Sequence, residues 1–100
     1  MSTEIKVENG VYTAILNGWL DTNEAAQFAK DIEPLKENIA KTIVIDCGGL
    51  EYVCSLGLRS FLSLKKESAA KGGQLSFVNV NDEVRKILKL TGFMKLLGIE

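Results

Sequence analysis

Apolar and polar residues alternate through positions 5–8, break at Asn9-Gly10, and resume with β-branched and aliphatic residues through 11–16. An Asn-Gly pair between two such runs takes up the left-handed backbone that a two-residue hairpin needs, so the pattern predicts two antiparallel strands. Positions 18–21 then read as a turn into a first helix, which Asp21 or Thr22 can cap and whose dipole Glu24 complements. Ala25, Phe28, Ala29 and Ile32 recur at helical spacing and predict a buried stripe, with Pro34 ending or distorting the helix. Thr42-Ile43-Val44-Ile45 is a β-branched run ending at Asp46, the signature of a fully buried central strand, and Gly48-Gly49 predicts a loop after it. Val53-Cys54-Ser55-Leu56-Gly57-Leu58 reads as a loop-to-helix junction with Ser55 as the N-cap. The helix is expected to run to about Lys71, to turn Leu58, Phe61, Leu62 and Ala69 inward, and to stop at Gly72-Gly73.

Residues 74–80 predict another central strand. Asn81 or Asp82 caps a third helix that buries Val84, Ile87 and Leu88 and ends at Thr91-Gly92, and residues 93–97 form a short terminal turn. The expected order is ββαβαβα. Strand–helix–strand units imply parallel pairing of the later strands, so the fold class is α/β: a mixed β-sheet with helices packed largely on one face.

The 100 residues suit one domain, and 46% hydrophobic with 25% charged residues is an ordinary globular balance. A net charge of −1 gives no basic excess to neutralise a phosphate backbone, which argues against direct nucleic-acid binding. Residues 1–6 lack the apolar core of a signal peptide, and no apolar run approaches the ~20 residues of a membrane span. The expected location is therefore cytoplasmic, without membrane insertion, where a disulfide between Cys47 and Cys54 is not expected. The chain has no histidine, which removes imidazole bases, Ser-His-Asp and Cys-His arrangements and histidine-ligated metals. Two cysteines alone make a poor zinc site, and Gly48-Gly49 lacks the Lys-Ser/Thr of a phosphate loop. No catalytic residue, cofactor or metal is expected, and the chain reads as a protein that works by binding another protein.

Five fragments in order carry a family resemblance: Gly18-Trp19-Leu20-Asp21, Ile43-Val44-Ile45-Asp46, Ser55-Leu56-Gly57-Leu58, Lys71-Gly72-Gly73-Gln74-Leu75 and Leu90-Thr91-Gly92-Phe93. Together they resemble the STAS domains of bacterial anti-sigma factor antagonists over nearly the whole chain. The resemblance implies a STAS-like sheet and a partner, an anti-sigma factor that is an ATP-dependent serine kinase. It makes Ser55 the phosphorylation site and places Asp21, Cys54, Ser55, Leu56 and Gly57 on the partner-binding surface. This sequence departs from the family at Cys54, where Asp often precedes the serine, at Leu56, where a small or hydroxylated residue is common, and at Trp19, where a polar one is.

Each of these residues also has a plainer reading. Ser55 and Asp21 serve as helix caps, Trp19 as a half-buried turn residue, and Cys54 and Cys47 as inert thiols. The competing functions are a STAS adaptor or structural subunit of a transporter or stress-signalling assembly, with no phosphorylation, and a redox protein built on Cys54, which lacks a second thiol at CxxC spacing.

Overall fold

A computed structural model describes residues 1–99. The hairpin forms where Asn9-Gly10 predicts it: both residues take positive φ (51° and 78°), the geometry whose twist matches the flanking strands. Strand β1 (Ser2–Glu8) pairs antiparallel with β2 (Val11–Leu20), from Glu8↔Val11 to Ser2↔Asn17. Helices α1 (Thr22–Asp31) and α2 (Glu33–Glu37) follow, then strand β3 (Thr42–Val53) and helix α3 (Ser55–Ala70). Strand β4 (Gln74–Val78) and helices α4 (Asp82–Thr91) and α5 (Phe93–Leu96) complete the chain. The sheet order is β1-β2-β3-β4, with β3 parallel to both β2 and β4.

Several boundaries differ from the sequence reading, each for a physical reason. Residues 18–20 are not a turn. Register shifts on either side of Asn17 and Gly18, with Gly18 at φ +96°, let β2 bulge and continue to Leu20. Gly48-Gly49 is not a loop, because β3 runs straight through it. Gly49 lies opposite Asn17, whose carboxamide oxygen occupies the space a Cβ would need, so this glycine serves a close approach between strands. Strand β4 is an edge strand, not a central one, and stops at Val78 because Asn79 turns the chain with φ +54°. Pro34 sits in the first turn of the short α2, after the break at Ile32, where its missing N–H has no partner within the helix to lose.

One face of the sheet makes the core. Ala14, Leu16 and Leu20 of β2, Ile43, Ile45, Cys47, Leu50 and Val53 of β3, and Leu75 of β4 meet Phe28, Ile32, Leu35, Leu58, Phe61, Leu64, Val84 and Leu88 from the helices. Phe61 joins two layers, edge-on to Phe28 and tilted against Phe77, at centroid separations of 5.8 and 5.3 Å. Ala29 and Ala69, expected inside, are exposed. Ala25 and Leu62 are partly buried, while Leu35 and Leu64 fill the core in their place. On the other face Thr13, Ile15, Val44, Asp46 and Val78 all keep some surface in water, so β3 is buried on one side only. The helices thus pack on one face of a mixed sheet, as the pattern predicts.

The loop after β4 is tied to β3 by two side chains. Asn81 accepts from the Val84 N–H (3.0 Å) as the cap of α4, while its carboxamide donates to the carbonyls of Cys47 and Leu50 (3.1 and 2.6 Å). Asp46 accepts from the Gly48 N–H and from the Asn79 carboxamide (2.9 and 3.1 Å).

Candidate functional site

The parallel strands β2 and β3 end side by side, and the chain leaves them into α1 and α3 at the same edge of the sheet. Leu20 pairs with Val53, and the Cys54 N–H donates to the Leu20 carbonyl at 2.8 Å, so hydrogen bonding to β2 reaches the last residue before α3. Cys54 is held extended (φ −84°, ψ 172°) and its carbonyl accepts from the Leu58 N–H at 2.9 Å, closing the first turn. Cys54 is therefore the N-cap, and its side chain makes no cap hydrogen bond. This corrects the reading of Ser55 as the cap: Ser55 is the first helical residue.

That shift of one residue changes the chemistry available to the serine. The Ser55 side chain is exposed, and its hydroxyl is not engaged in capping. It stands beside the first-turn N–H groups of α3, which have no partner within the helix and carry the positive end of its dipole. An anion attached at this hydroxyl meets a favourable field without displacing a structural bond.

The predicted partner-binding residues separate into two groups. Ser55 and Leu56 are exposed and Asp21 is partly exposed, accepting from the Glu24 N–H at 3.0 Å as the cap of α1. Cys54, at 8% exposure, and Gly57 are buried, so they present little surface and instead set the backbone beneath the serine. A Cβ on Gly57 would lie 2.7 Å from Leu20 Cδ2 and 2.8 Å from Val53 Cγ2. The glycine lets the first turn of α3 settle on the ends of both strands. Cys47 belongs to the core: burial, and secondarily the carboxylate of Asp46, push its thiol up to about 12.

Trp19 is more exposed than a half-buried turn residue, at 56%, and its ring lies 5.2 Å from that of Tyr52, its register partner on β3. Sequence reasoning passes over Tyr52 because the bulge that brings the two rings together is invisible in local pattern.

A family model described as STAS domain matches residues 2–100. Among curated relatives, an anti-sigma F factor antagonist of Paenibacillus polymyxa is 29% identical over 103 residues, covering 99% of this chain and 87% of its own. An anti-sigma factor antagonist from Mycobacterium paratuberculosis superposes with a TM-score of 0.83 at 21% identity, over 98% of this chain and 83% of that one. The anti-sigma factor antagonist SpoIIAA in its unphosphorylated form gives 0.74 at 20% identity, over 95% and 84%. A sulfate transporter family protein from Wolinella succinogenes gives 0.71 at 19% identity, over 93% and 75%. At these identities the solved structures speak to the fold alone.

Proposed function

The chain belongs to the STAS domain family, and we propose that it is an anti-sigma factor antagonist. In this reading it binds an anti-sigma factor that is an ATP-dependent serine kinase and is switched by phosphorylation at Ser55. The observation that carries the reading is the Ser55 hydroxyl, exposed and unengaged on the first turn of α3. Asp21 and Leu56 flank it as contact surface, and Cys54 and Gly57 hold its backbone. Support also comes from the relatives and neighbours whose names state that they are anti-sigma factor antagonists.

In the transfer, Ser55 Oγ attacks the γ-phosphorus of ATP. The Oγ–P bond forms, the bond from that phosphorus to the β-bridging oxygen breaks, ADP leaves with the electron pair, and the hydroxyl proton passes to a base on the kinase. The antagonist contributes position, not catalysis, and needs no cofactor or metal of its own. The product places about two negative charges beside the kinase's own nucleotide phosphates. Like-charge repulsion across that contact then favours release, and the unmodified form is the one that holds the anti-sigma factor and frees the sigma factor.

The test is to purify the serine-kinase anti-sigma factors of the source organism and measure binding and phosphate incorporation with labelled ATP. One of them should bind the parent chain and phosphorylate it, Ser55→Ala should bind and take up no phosphate, and Ser55→Asp should bind more weakly. Equal affinity for all three proteins would remove the switch. The likeness to a sulfate transporter family protein favours a second reading, a structural STAS module that is never phosphorylated. Failure of every anti-sigma factor to bind the parent would select it.

A further inference from the structure

Trp19 and Tyr52 sit at the ends of β2 and β3 that lead into α1 and α3. Their neighbours Leu20 and Val53 are buried in the core, so successive side chains alternate and the two rings project from the opposite, helix-free face of the sheet. Elsewhere that face mixes polar side chains, among them Glu4, Lys6, Thr13 and Ser76, with the aliphatic Ile15, Val44 and Val78, and carries no other aromatic ring among the described residues. The aromatic pair is thus confined to the end of the face that adjoins Ser55. Leu56, 45% exposed, follows the serine directly. Two large rings, an exposed Trp19 open over half its surface and a partly buried Tyr52 tilted 31° to it, have the composition of an interface centre.

The charge around them indicates what they meet. The carboxylates of Asp21 and Glu51 stand at this same end of the strands, within two residues of Trp19 and Tyr52 in sequence. Arg59 lies a turn further along α3. An exposed indole with the α1 cap Asp21 and the exposed Glu51 close by in the chain suits a guanidinium, which stacks on aromatic rings and pairs with carboxylates. Resting on the function proposed above, we infer that Trp19, Tyr52 and Leu56 form a second contact with the anti-sigma factor. This contact carries the interface from Ser55 around the sheet edge onto the helix-free face, and it receives an arginine-bearing apolar patch of that partner. The phosphate on Ser55 acts against the nucleotide, whereas this surface acts against the protein beside it. It therefore sets which anti-sigma factor is bound, independently of the phosphorylation state.

The experiment titrates the parent, Trp19→Ala, Trp19→Phe and Trp19→Lys against the anti-sigma factor that phosphorylates Ser55, by calorimetry, with a melting curve for each. Trp19→Ala should weaken binding about tenfold or more, Trp19→Phe less, and Trp19→Lys more than Trp19→Ala. In the parent, whose single tryptophan is Trp19, emission should shift to the blue on complex formation, a readout that needs no variant to fold. Unshifted emission, or parent-like affinity in folded Trp19→Ala, overturns the inference and leaves the role of Ser55 standing. Trp19→Lys binding no worse than Trp19→Ala overturns the arginine assignment. If no anti-sigma factor binds the parent, the function fails first and the inference falls with it.

Discussion

Gly57 offers the sharpest test of how the site is built. Adding one methyl group there places a carbon 2.7 Å from Leu20 Cδ2, 2.8 Å from Val53 Cγ2 and 2.9 Å from Leu20 Cγ. All are closer than carbon atoms tolerate. Leu20 and Val53 are 0% and 1% exposed, so neither has empty space to move into. Overpacking of this kind costs ~1–3 kcal/mol. Replacing glycine inside a helix by alanine returns ~0.8–1 kcal/mol of propensity. Gly57→Ala should therefore lose between nothing and ~2 kcal/mol on these two terms. Gly57→Val adds two branched methyls and regains less propensity, so it should lose at least the full ~3 kcal/mol of the overpacking range. At ~4–8 °C per kcal/mol for a domain of this size, Tm should fall by at least ~12–24 °C for valine. Urea unfolding followed by far-UV circular dichroism gives the free energies and shows from the slope whether the transition stays two-state. A Gly57→Val protein within ~1 kcal/mol of the parent would refute the packing argument. The glycine would then have to be read through the partner, by the affinity of the folded fraction.

Two further outcomes follow from the cysteines. Cys47 stays protonated in the folded chain up to about 12, well above the ordinary 9.0 of a free thiol, because its thiolate would be buried. The unfolded chain therefore binds fewer protons across that interval. The stability from the neutral thiol is fully present below about pH 9 and is lost as the pH rises toward 12, and Cys47→Ala should flatten that fall in urea titrations. Cys54→Asp, which restores the acid common before the serine in the family, puts a carboxylate at an N-cap only 8% exposed. Capping contributes ~1 kcal/mol, and desolvating the charge opposes it. The expected result is a lower Tm with phosphate incorporation at Ser55 no slower than in the parent, and a faster rate at unchanged Tm would show that the side chain swings into water.

What the sequence discloses is what neighbours along the chain decide. Asn9-Gly10, the caps Asp21 and Asn81, and the left-handed stops at Gly72 and Gly92 each act within a few residues, and each appears where expected. Gly48-Gly49 misleads because its reason lies across the sheet at Asn17. The edge position of β4 and the one-sided burial of β3 depend on sheet order, which no window of residues contains. The cap of α3 fails for the same cause. Serine is intrinsically the better cap, yet the hydrogen bond from Cys54 to Leu20 extends the strand one residue further and moves the serine into the helix. The Trp19–Tyr52 pair, formed through a bulge, is legible only in three dimensions.

The displaced cap also bears on how a phosphate at Ser55 would be felt. Had the hydroxyl capped the helix, modifying it would disturb a bond worth ~1 kcal/mol and the fold itself would respond. At the first helical position the same phosphate breaks nothing and gains ~0.3–1 kcal/mol from the helix dipole. That is small against the ~5–15 kcal/mol that holds a typical domain together, so the folded shape of the domain should be nearly blind to such a modification. The first turn is further fixed from below, where Gly57 rests on Leu20 and Val53. A hundredfold change in affinity needs ~2.7 kcal/mol. If Ser55 is phosphorylated as proposed, a difference of that size would arise across the contact, from charge placed against the partner's nucleotide. On the proposed function the switch would reside in the complex, and the surfaces beside the serine would remain available in both states to identify the partner.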